Sequence, residues 1–347
     1  MVTFGGDSHK RSHTLVAVDE NGRQLGERRV AATPTGHMEA LGWARQWAER
    51  RWALENCRHL SRVLERDLLS AGEVVVQVSP KLMGMARRTG RELGKSDPID
   101  ALAVARAALR EPHLPLAQLE GKSREVKLLV DHREDLVGER TRIQNRLLWH
   151  LHELEPGYQV VASGLVRSVT LAEVSRRLES HSGVVAEIAR ELVARLAELT
   201  QSVNRLQRRI EVLMQELAPS LLSLPGCAGL SAAKLVAETA DVRRFRSSAA
   251  FAMHNGTAPI PVWSGNHERH RLNRGGNRQL NVALHRIAIT QIRLGGAASA
   301  YIARRLSIGN TKTEAIRALR RQISDEVYRR LKQDHLQRSA AAIAVAA

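Results

Sequence analysis

Four carboxylates occupy positions from which they could act together. Asp7 stands at the end of the first strand pattern, and Glu55 stands at the end of a later short strand. Asp97 and Asp100 open a predicted helix, and residues three apart on a helix share a face. Asp97 has an alternative role as an N-cap with a proline at the first helical position. Each acid alone is also explained as a solvated charge or a cap, so the chemistry depends on the whole set.

The elements that must position these acids follow the order of a ribonuclease H-like fold. Three short β-type runs predict a meander, followed by a helix, a strand, a helix, a buried strand and a further helix. The ranges are about 2–4, 14–18, 28–31, 36–51, 52–54, 60–70 and 73–78, with the last helix opening at Asp97. Adjacent central strands of that fold would bring Asp7 beside Glu55. The helix packed on that edge would then present Asp97 and Asp100 to them.

Acids gathered in this way repel one another unless cations lie between them. Carboxylate oxygens are hard ligands, which favours Mg²⁺ or Mn²⁺. Two such ions about 4 Å apart can stabilise the attacking and leaving oxygens of a phosphodiester. The sequence therefore predicts a two-ion site for phosphoryl transfer.

The overall charge indicates a polyanionic partner. Lys and Arg total 53 against 36 Asp and Glu among 347 residues, a net charge of +17. A field of this sign favours binding to nucleic acid. Aromatic residues make up only 3% of the chain, which argues against a protein that stacks single-stranded bases on aromatic platforms. A large polyanion contacted through its backbone is the expected partner.

The middle of the chain is helical over about 123–155 and 185–217. In the second segment an apolar seam recurs at spacings of three and four, as in a coiled coil. Its members are Ile188, Leu192, Leu196, Leu199, Val203, Leu206, Ile210, Leu213 and Leu217. The two helices would form an antiparallel pair or a dimer arm, and the alternative is a bundle internal to one subunit. The narrow seam favours self-association into a dimer or tetramer.

The segment after Pro219 is predicted to be mostly helical and to contact phosphate. Its opening, residues 224–233, resembles a helix-hairpin-helix turn in which Gly226 and Gly229 let backbone N–H groups approach a phosphate. An ordinary tight turn is the alternative. Beyond it, four arginines on a Gly-rich loop are candidate phosphate contacts: Arg269, Arg271, Arg274 and Arg278.

The composition also indicates the cellular compartment of the protein. Cys57 and Cys227 cannot build a disulfide framework, no apolar run approaches about 20 residues, and the first residues lack a signal-peptide core. We therefore expect a cytoplasmic protein without a membrane partner. The expected domains are a catalytic domain over 1–118, a coiled-coil region over 119–218, a C-terminal domain over 219–335 and a flexible tail over 336–347.

The motifs together resemble a known family. Phe4-Gly5-Gly6-Asp7-Ser8-His9-Lys10, Ala53-Leu54-Glu55 and Lys95-Ser96-Asp97-Pro98-Ile99-Asp100-Ala101 are similar to the three motif blocks of the DEDD transposases of insertion sequences. Further blocks resemble the C-terminal domain of that family in order and spacing. They are Leu224-Pro225-Gly226, Arg244-Phe245, Gly256 with Pro259, Ser264-Gly265, and Gly276-Asn277-Arg278. One departure is the stretch 252–255 before Gly256.

The resemblance implies a RuvC-like N-terminal domain, with Asp7, Glu55, Asp97 and Asp100 as metal-binding acids and Ser264 as the nucleophile. It also implies double-stranded DNA as the substrate and guidance by a structured bridge RNA encoded in the flank of the element. From the residues alone, a turn residue or a cap is the favoured role for Ser264. A free serine hydroxyl is a poor nucleophile at neutral pH, so the proposed role needs activation within the complex.

The leading hypothesis is a transposase that excises and inserts its own insertion sequence through Mg-dependent cleavage and rejoining of DNA. The alternative is a nuclease, related to Holliday-junction resolvases or to ribonuclease H, in which water is the nucleophile. A third hypothesis is a non-catalytic nucleic-acid-binding scaffold. The acids argue against the scaffold, because negative charge in a polyanion-binding groove weakens binding unless metal ions neutralise it.

Overall fold

A computed structural model describes residues 1–55, 60–79, 82–83, 96–111, 114, 116–117, 121–265 and 267–346. The chain divides into two compact units, residues 1–120 and 121–347. Cys57 and the domain boundary expected at 118/119 lie outside the described residues. The helical middle and the C-terminal segment, which the sequence divides at 218/219, belong to one unit.

The first unit is built on a five-stranded sheet in the order β3-β2-β1-β4-β5. The strands are β1 (Val2–Ser8), β2 (Ser12–Val18), β3 (Gln24–Ala31), β4 (Arg50–Glu55) and β5 (Val75–Val78). β1, β2 and β3 form an antiparallel meander, while β4 pairs in parallel with β1 and β5 in parallel with β4. This is the predicted succession of a meander followed by parallel crossover strands.

Helices cover both faces of this sheet. α1 (Pro34–Ala44) and α2 (Arg62–Ser70) pack on one face, where Phe4 stacks on Trp52 with ring centroids 4.6 Å apart. α3 (Asp97–Arg110) packs on the other face against small and β-branched side chains. Those side chains include Val16, Val18, Ala53, Val76 and Val78. β2, β4 and β5 therefore alternate between two apolar cores, whereas β3 at the edge buries only Val30.

The first helix is shorter than the expected span of 36–51. Its N-cap Thr33 accepts a hydrogen bond from the Gly36 amide at 3.2 Å, and the helix ends at Ala44. Arg50 instead belongs to β4, and its Nε donates to a carboxylate oxygen of Glu73 at 2.9 Å. The ion pair and the strand pairing outweigh the helical pattern of this stretch.

α3 lies unusually close to the sheet at Gly5. A Cβ added at Gly5 would stand 2.0 Å from the carbonyl oxygen of Ala101 and 2.6 Å from the amide nitrogen of Ala105. Only a residue without a side chain fits there, because both neighbouring atoms are helix backbone. Gly5 thus fixes the distance between β1 and the helix that carries Asp97 and Asp100.

The second unit is helical apart from one hairpin, within the residues described. Its long helices are α4 (Lys122–Leu154) and α6 (Val184–Leu217), with α5 (Ser168–Leu178) between them. The remaining elements are α7 (Pro219–Leu222), α8 (Gly229–Thr239), α9 (Ser248–Asn255), β6 (Ile260–Ser264), β7 (His267–Arg271), α10 (Arg278–Leu294), α11 (Ala297–Ser307) and α12 (Lys312–Ala346). Across the described parts of the chain, no helix combines the length and apolar content needed to cross a bilayer.

α4 and α6 run antiparallel within one chain. Lys122 at the start of α4 pairs with Glu216 near the end of α6. Further along, the Glu139 carboxylate accepts from Arg195 Nη2 at 2.8 Å. Most of the predicted seam is buried inside this unit, with Leu196 and Ile210 fully covered. The seam therefore packs against the chain's own helices, and self-association stays a prediction.

The C-terminal segment packs against one end of this helix pair. Buried Lys234 of α8 donates to Glu134 of α4 at 2.6 Å, and Lys127 of α4 donates to Glu238 of α8 at 2.7 Å. Side chains from both ends of the segment share one core with α4 and α6. The last helix continues to Ala346, and flexibility of the tail over 336–347 stays a prediction. Just before this stretch Asp334 accepts from the Ser220 amide at 2.9 Å, and within it Arg338 Nη1 donates to the Leu217 carbonyl.

We predict that Gly5→Ala destabilises the first unit by at least about 2 kcal/mol, because the new methyl group must displace helix backbone. Urea unfolding measures this change. The matched control is Gly42→Ala in α1, where an added Cβ has nothing within 4 Å. That variant should be neutral or more stable by up to about 1 kcal/mol. Equal stability of the two variants would contradict the close packing.

A partly buried histidine predicts acid sensitivity of the second unit. Arg244 Nη2 donates to His254 Nε2 at 3.1 Å, which requires the neutral ring. Burial, and then the charge of Arg244, lower the pKa of His254 to about 4 from an ordinary value of 6.5. The unfolded chain therefore binds the proton first, and stability falls by roughly 3 kcal/mol at most as the pH drops from 6.5 towards 4.

His254→Gln retains an acceptor for Arg244 and should remove most of that pH dependence. The comparison is urea unfolding at pH 7.5 and pH 5, with exposed His132→Gln as the control. A variant at position 254 that keeps the full wild-type dependence would show that another group is responsible.

Candidate active site

The sheet brings two of the four acids to one edge. β1 and β4 are parallel, with Gly6 opposite Leu54, so Asp7 and Glu55 follow side by side at the carboxyl ends of these strands. Alternation along β1 places Asp7 on the same face as Gly5, which is the face that α3 covers. Alternation along β4 places Glu55 on the face of Ala53, which packs in the α3 core. The predicted pairing of these acids is observed.

The first turn of α3 carries the other two acids. The N-cap is Ser96 rather than Asp97, so the capping role considered for Asp97 is not the one observed. Asp97 is the first residue of the helix and is partly exposed, whereas Asp100 is buried. Because the helix begins above the carboxyl edge of β1, both acids act electrostatically on Asp7.

A histidine links the two sides of this cluster. His9 Nε2 lies 3.1 Å from Asp7 Oδ2 and 3.3 Å from Asp97 Oδ1. One donor atom from each of these three residues lies within 4.8 Å of the others. His9 is the functional candidate that the sequence motifs did not single out. Its signal was its position two residues beyond Asp7, where a continuing strand presents the same face.

The electrostatics at Asp7 reflect crowding of like charges. Burial raises the pKa of the Asp7 carboxyl above its ordinary value, and the charge of His9 lowers it. Repulsion from Asp100 and Asp97 raises it again. A divalent cation beside these oxygens would relieve both the repulsion and the lost solvation.

The donor set fits a hard divalent cation. Asp7 and Asp97 offer carboxylate oxygens within reach of one another, and Glu55 and Asp100 stand next to them. Carboxylates suit Mg²⁺ and Mn²⁺, and the imidazole of His9 is better tolerated by Mn²⁺. Side-chain chemistry therefore agrees with the metal type expected from the sequence.

Ser264 lies in the second unit, at the end of a hairpin. It is the last residue of β6 and pairs with His267 of β7, and Gly265 in the turn has φ +57°. The structure describes the backbone of Ser264 and not its side chain. Trp263, the residue before it, is 68% exposed. A Ser-Gly pair at a hairpin turn also fits the structural role considered for Ser264, that of a turn residue.

The four candidate phosphate-binding arginines are spread along β7 and the loop into α10. Arg271 ends β7, and Arg274 and Arg278 are exposed and line a common cavity. Arg269 lies mid-strand opposite Val262, and only its backbone is described. The group is thus connected in sequence to the Ser264 hairpin.

The two glycines of the expected helix-hairpin-helix turn are both packed against helices. Gly226 has φ +78°, and a Cβ there would meet the Ile287 carbonyl of α10 at 3.0 Å. A Cβ on Gly229 would meet the Glu211 side chain of α6 at 2.7 Å. Close packing accounts for the missing side chains, and a phosphate contact at this turn stays a prediction.

Solved structures give a likeness to about a third of the chain. T. thermophilus RuvC in complex with Holliday junction substrate aligns with 34% of this chain and 99% of its own, at 17% identity and a TM-score of 0.27. A second Thermus thermophilus RuvC structure aligns at 18% identity with the same TM-score, 0.27.

Curated relatives extend over nearly the whole chain. The insertion element IS116 uncharacterized 44.8 kDa protein of Streptomyces clavuligerus is 26% identical over 96% of this chain and 96% of its own length. The insertion element IS900 uncharacterized 42 kDa protein of Mycobacterium paratuberculosis is 25% identical over the same shares, 96% and 96%. A "Probable family 20 transposase" of Pseudomonas aeruginosa is 26% identical over 67% of this chain and 63% of its own.

Two family models match the two halves in order. The transposase model of the DEDD type matches residues 4–156, which include all four acids. The model described as "Transposase IS116/IS110/IS902 family" matches residues 218–303, which include Ser264 and the arginine loop. The chain therefore belongs to the DEDD transposases of insertion sequences, in the IS116/IS110/IS902 family.

Proposed function

We propose that this transposase excises and inserts its own insertion sequence by metal-dependent cleavage and rejoining of DNA, with Ser264 as the nucleophile. The acids Asp7, Glu55, Asp97 and Asp100 would hold two Mg²⁺ or Mn²⁺ ions. A structured RNA from the flank of the element would guide the choice of target. The working form would be a homo-oligomer, since two duplexes must be cut together.

The observation that carries the proposal is the convergence of carboxylates in a strongly cationic chain. Asp7 and Asp97 share a contact with His9, Asp100 acts electrostatically on Asp7, and Glu55 ends the neighbouring strand. A DNA-binding surface gains nothing from acids at its centre unless metal ions make them useful. A scaffold role leaves this arrangement without a purpose.

When bound, the ions would polarise a phosphodiester and stabilise the charge that develops on its oxygens. The chain's own contribution is to hold the oxygen ligands in place. β1 and β4 fix Asp7 and Glu55 in register, and the packing of α3 on Gly5 fixes Asp97 and Asp100. His9 orients the carboxylates of Asp7 and Asp97 through its Nε2.

Ser264 would conserve the energy of the broken bond. Its Oγ forms a bond to phosphorus as the phosphorus–oxygen bond of the DNA strand breaks. The serine proton is lost, and the released DNA oxygen gains a proton. Rejoining reverses these changes with an oxygen of another strand. The exposed hairpin suits this role because its tip can approach a duplex, as Trp263 beside Ser264 is 68% exposed.

The composition supports recognition of duplexes by shape. With a net charge of +17 and 3% aromatic residues, the chain is better suited to contacting backbones than to stacking unpaired bases. A guide RNA would then supply the sequence information through base pairing. This division of labour is the part of the proposal that derives from the family resemblance.

A nuclease that uses water is the second candidate. The observation that favours it is the position of Ser264 next to Gly265 in a hairpin turn, where a serine needs no chemical role. The acids would serve both mechanisms in the same way.

We predict that Asp7→Asn and Asp97→Asn each lower strand cleavage in Mg²⁺ by roughly 100-fold or more, the scale of loss seen when support of a metal site is removed. The substrate is a plasmid that carries the element with its flanks, together with RNA transcribed from the flank. Glu39→Gln, on an exposed part of α1, is the matched control and should cut normally.

The same acid variants should bind duplex DNA in EDTA at least as tightly as the unaltered chain, since each removes a negative charge. Full cleavage activity by Asp7→Asn would remove the acids from the mechanism.

Ser264→Ala separates the two mechanisms. The transposase mechanism predicts that the variant loses both strand cleavage and the covalent protein–DNA adduct that survives denaturing electrophoresis. Ser307→Ala, an exposed serine at the end of α11, should retain both. Continued cutting by Ser264→Ala without an adduct would favour water as the nucleophile.

A further inference from the structure

A cavity of about 520 Å³ lies at the base of the Ser264 hairpin. Its wall is formed by the end of α9, the loop 272–276 that follows β7, and the first turns of α10 and α12. β7 therefore leads directly from the hairpin tip into this wall. At a rise of about 3.3 Å per residue, its end at Arg271 lies roughly 13 Å from the pair Ser264–His267.

Four arginines line the cavity, two of them on a helix that the motifs did not implicate. Arg274 and Arg278 come from the predicted phosphate-binding loop, and Arg317 and Arg320 come from α12. None of the lining residues that the structure describes is acidic. Among the described residues, no carboxylate forms an ion pair within 4.0 Å of these four guanidinium groups.

The acid at the start of α12 is already engaged. Glu314 acts electrostatically on Arg317, but its Oε2 accepts hydrogen bonds from the backbone amide and the hydroxyl of Thr311 at 2.8 and 2.9 Å. It caps the start of α12 and does not neutralise the cavity. The positive charge inside the cavity is therefore available to an anion from outside.

The deepest guanidinium is held rigidly by a chain of amides. Arg320 Nη1 donates to Asn281 Oδ1 at 2.9 Å, and Asn281 Nδ2 donates to the Asn255 carbonyl at 3.0 Å. Fully buried Asn255 in turn donates to Ser324 Oγ at 2.7 Å. The Arg320 Nε atom is buried and has no hydrogen-bond partner. A donor fixed in this way is ready for an acceptor that enters the cavity.

The arginines bring like charges close together in the cavity, as the acids do at the sheet edge of the first unit. Burial lowers the pKa of Arg320, and repulsion from Arg317 and Arg278 lowers it further. Bringing like charges together is costly unless an ion of the opposite sign lies between them. Guanidinium groups match the oxygens of a phosphate in pairs.

We propose that this cavity binds a backbone phosphate of the DNA strand that the Ser264 hairpin engages, with Arg317 and Arg320 as positioning residues. The inference rests on the proposed function, because it takes DNA as the substrate. A phosphate held in the cavity would fix the position of the DNA strand relative to the hairpin tip. Arg274 and Arg278 close the cavity from the loop side.

The test is binding of the full chain to a fluorescein-labelled DNA duplex and to an RNA duplex of equal length. Anisotropy is measured in EDTA over a range of salt concentrations. The double variant Arg317→Gln with Arg320→Gln should bind DNA roughly 100-fold more weakly. The slope of log affinity against log salt should fall by about one phosphate contact.

Arg205→Gln with Arg208→Gln is the matched control, because it removes the same charge from exposed positions on α6. Its affinity should stay within about threefold of the unaltered chain, since exposed charges outside a site act through screened attraction. Arg320→Lys keeps the charge but loses the fork, and it should bind DNA more weakly than the unaltered chain.

Arg317→Gln alone changes an exposed residue and guards against a folding defect. Inorganic pyrophosphate should raise the melting temperature of the unaltered chain, and the rise should shrink in this variant. Equal weakening in the two double variants, or none, would overturn the proposal. Weakened binding of RNA with unchanged binding of DNA would overturn it as well.

The experiment distinguishes an error in the cavity proposal from an error in the proposed function. If the unaltered chain binds neither duplex, the proposed function fails. If it binds DNA and the Arg317→Gln, Arg320→Gln variant binds equally well, only the cavity is excluded.

Discussion

The backbone of the helix Asp97–Arg110 rests directly on Gly5 of the central strand, and the candidate active site depends on that contact. A side chain at position 5 would meet helix backbone at 2.0 Å. Two residues further along the strand, Asp7 projects from the same face, beneath the first turn of the helix. The closeness of strand and helix is what allows acids from three separate segments of chain to share one small volume.

The two units carry opposite local charge. In the first, carboxylates crowd at a sheet edge and raise the pKa of Asp7. In the second, guanidinium groups crowd around a cavity and lower the pKa of Arg320. Each crowding is unfavourable in the protein alone, and each would be relieved by one component of the proposed reaction. Cations suit the first site, and the phosphates of nucleic acid suit the second.

Local sequence patterns predicted most of the first unit, because strand and helix periods and the spacing of the acids are short-range signals. They missed the end of the first helix at Ala44, since the pairing of Arg50 with Glu73 is a long-range contact. They also missed His9, whose role depends on reaching Asp97 across about 90 residues of chain. Arg317 and Arg320 were invisible for the same reason, because only packing of the last helix brings them to the arginine loop. The apolar seam was recognised, but its partner proved to be a helix of the same chain.

The proposed chemistry requires that the acids hold metal ions. The most direct measurement is anomalous diffraction from crystals of the full chain soaked in Mn²⁺. We predict anomalous density between the carboxylates of Asp7 and Asp97, with a second peak beside Glu55 or Asp100. Well-ordered crystals with Mn²⁺ bound elsewhere and none at this edge of the sheet would contradict the account.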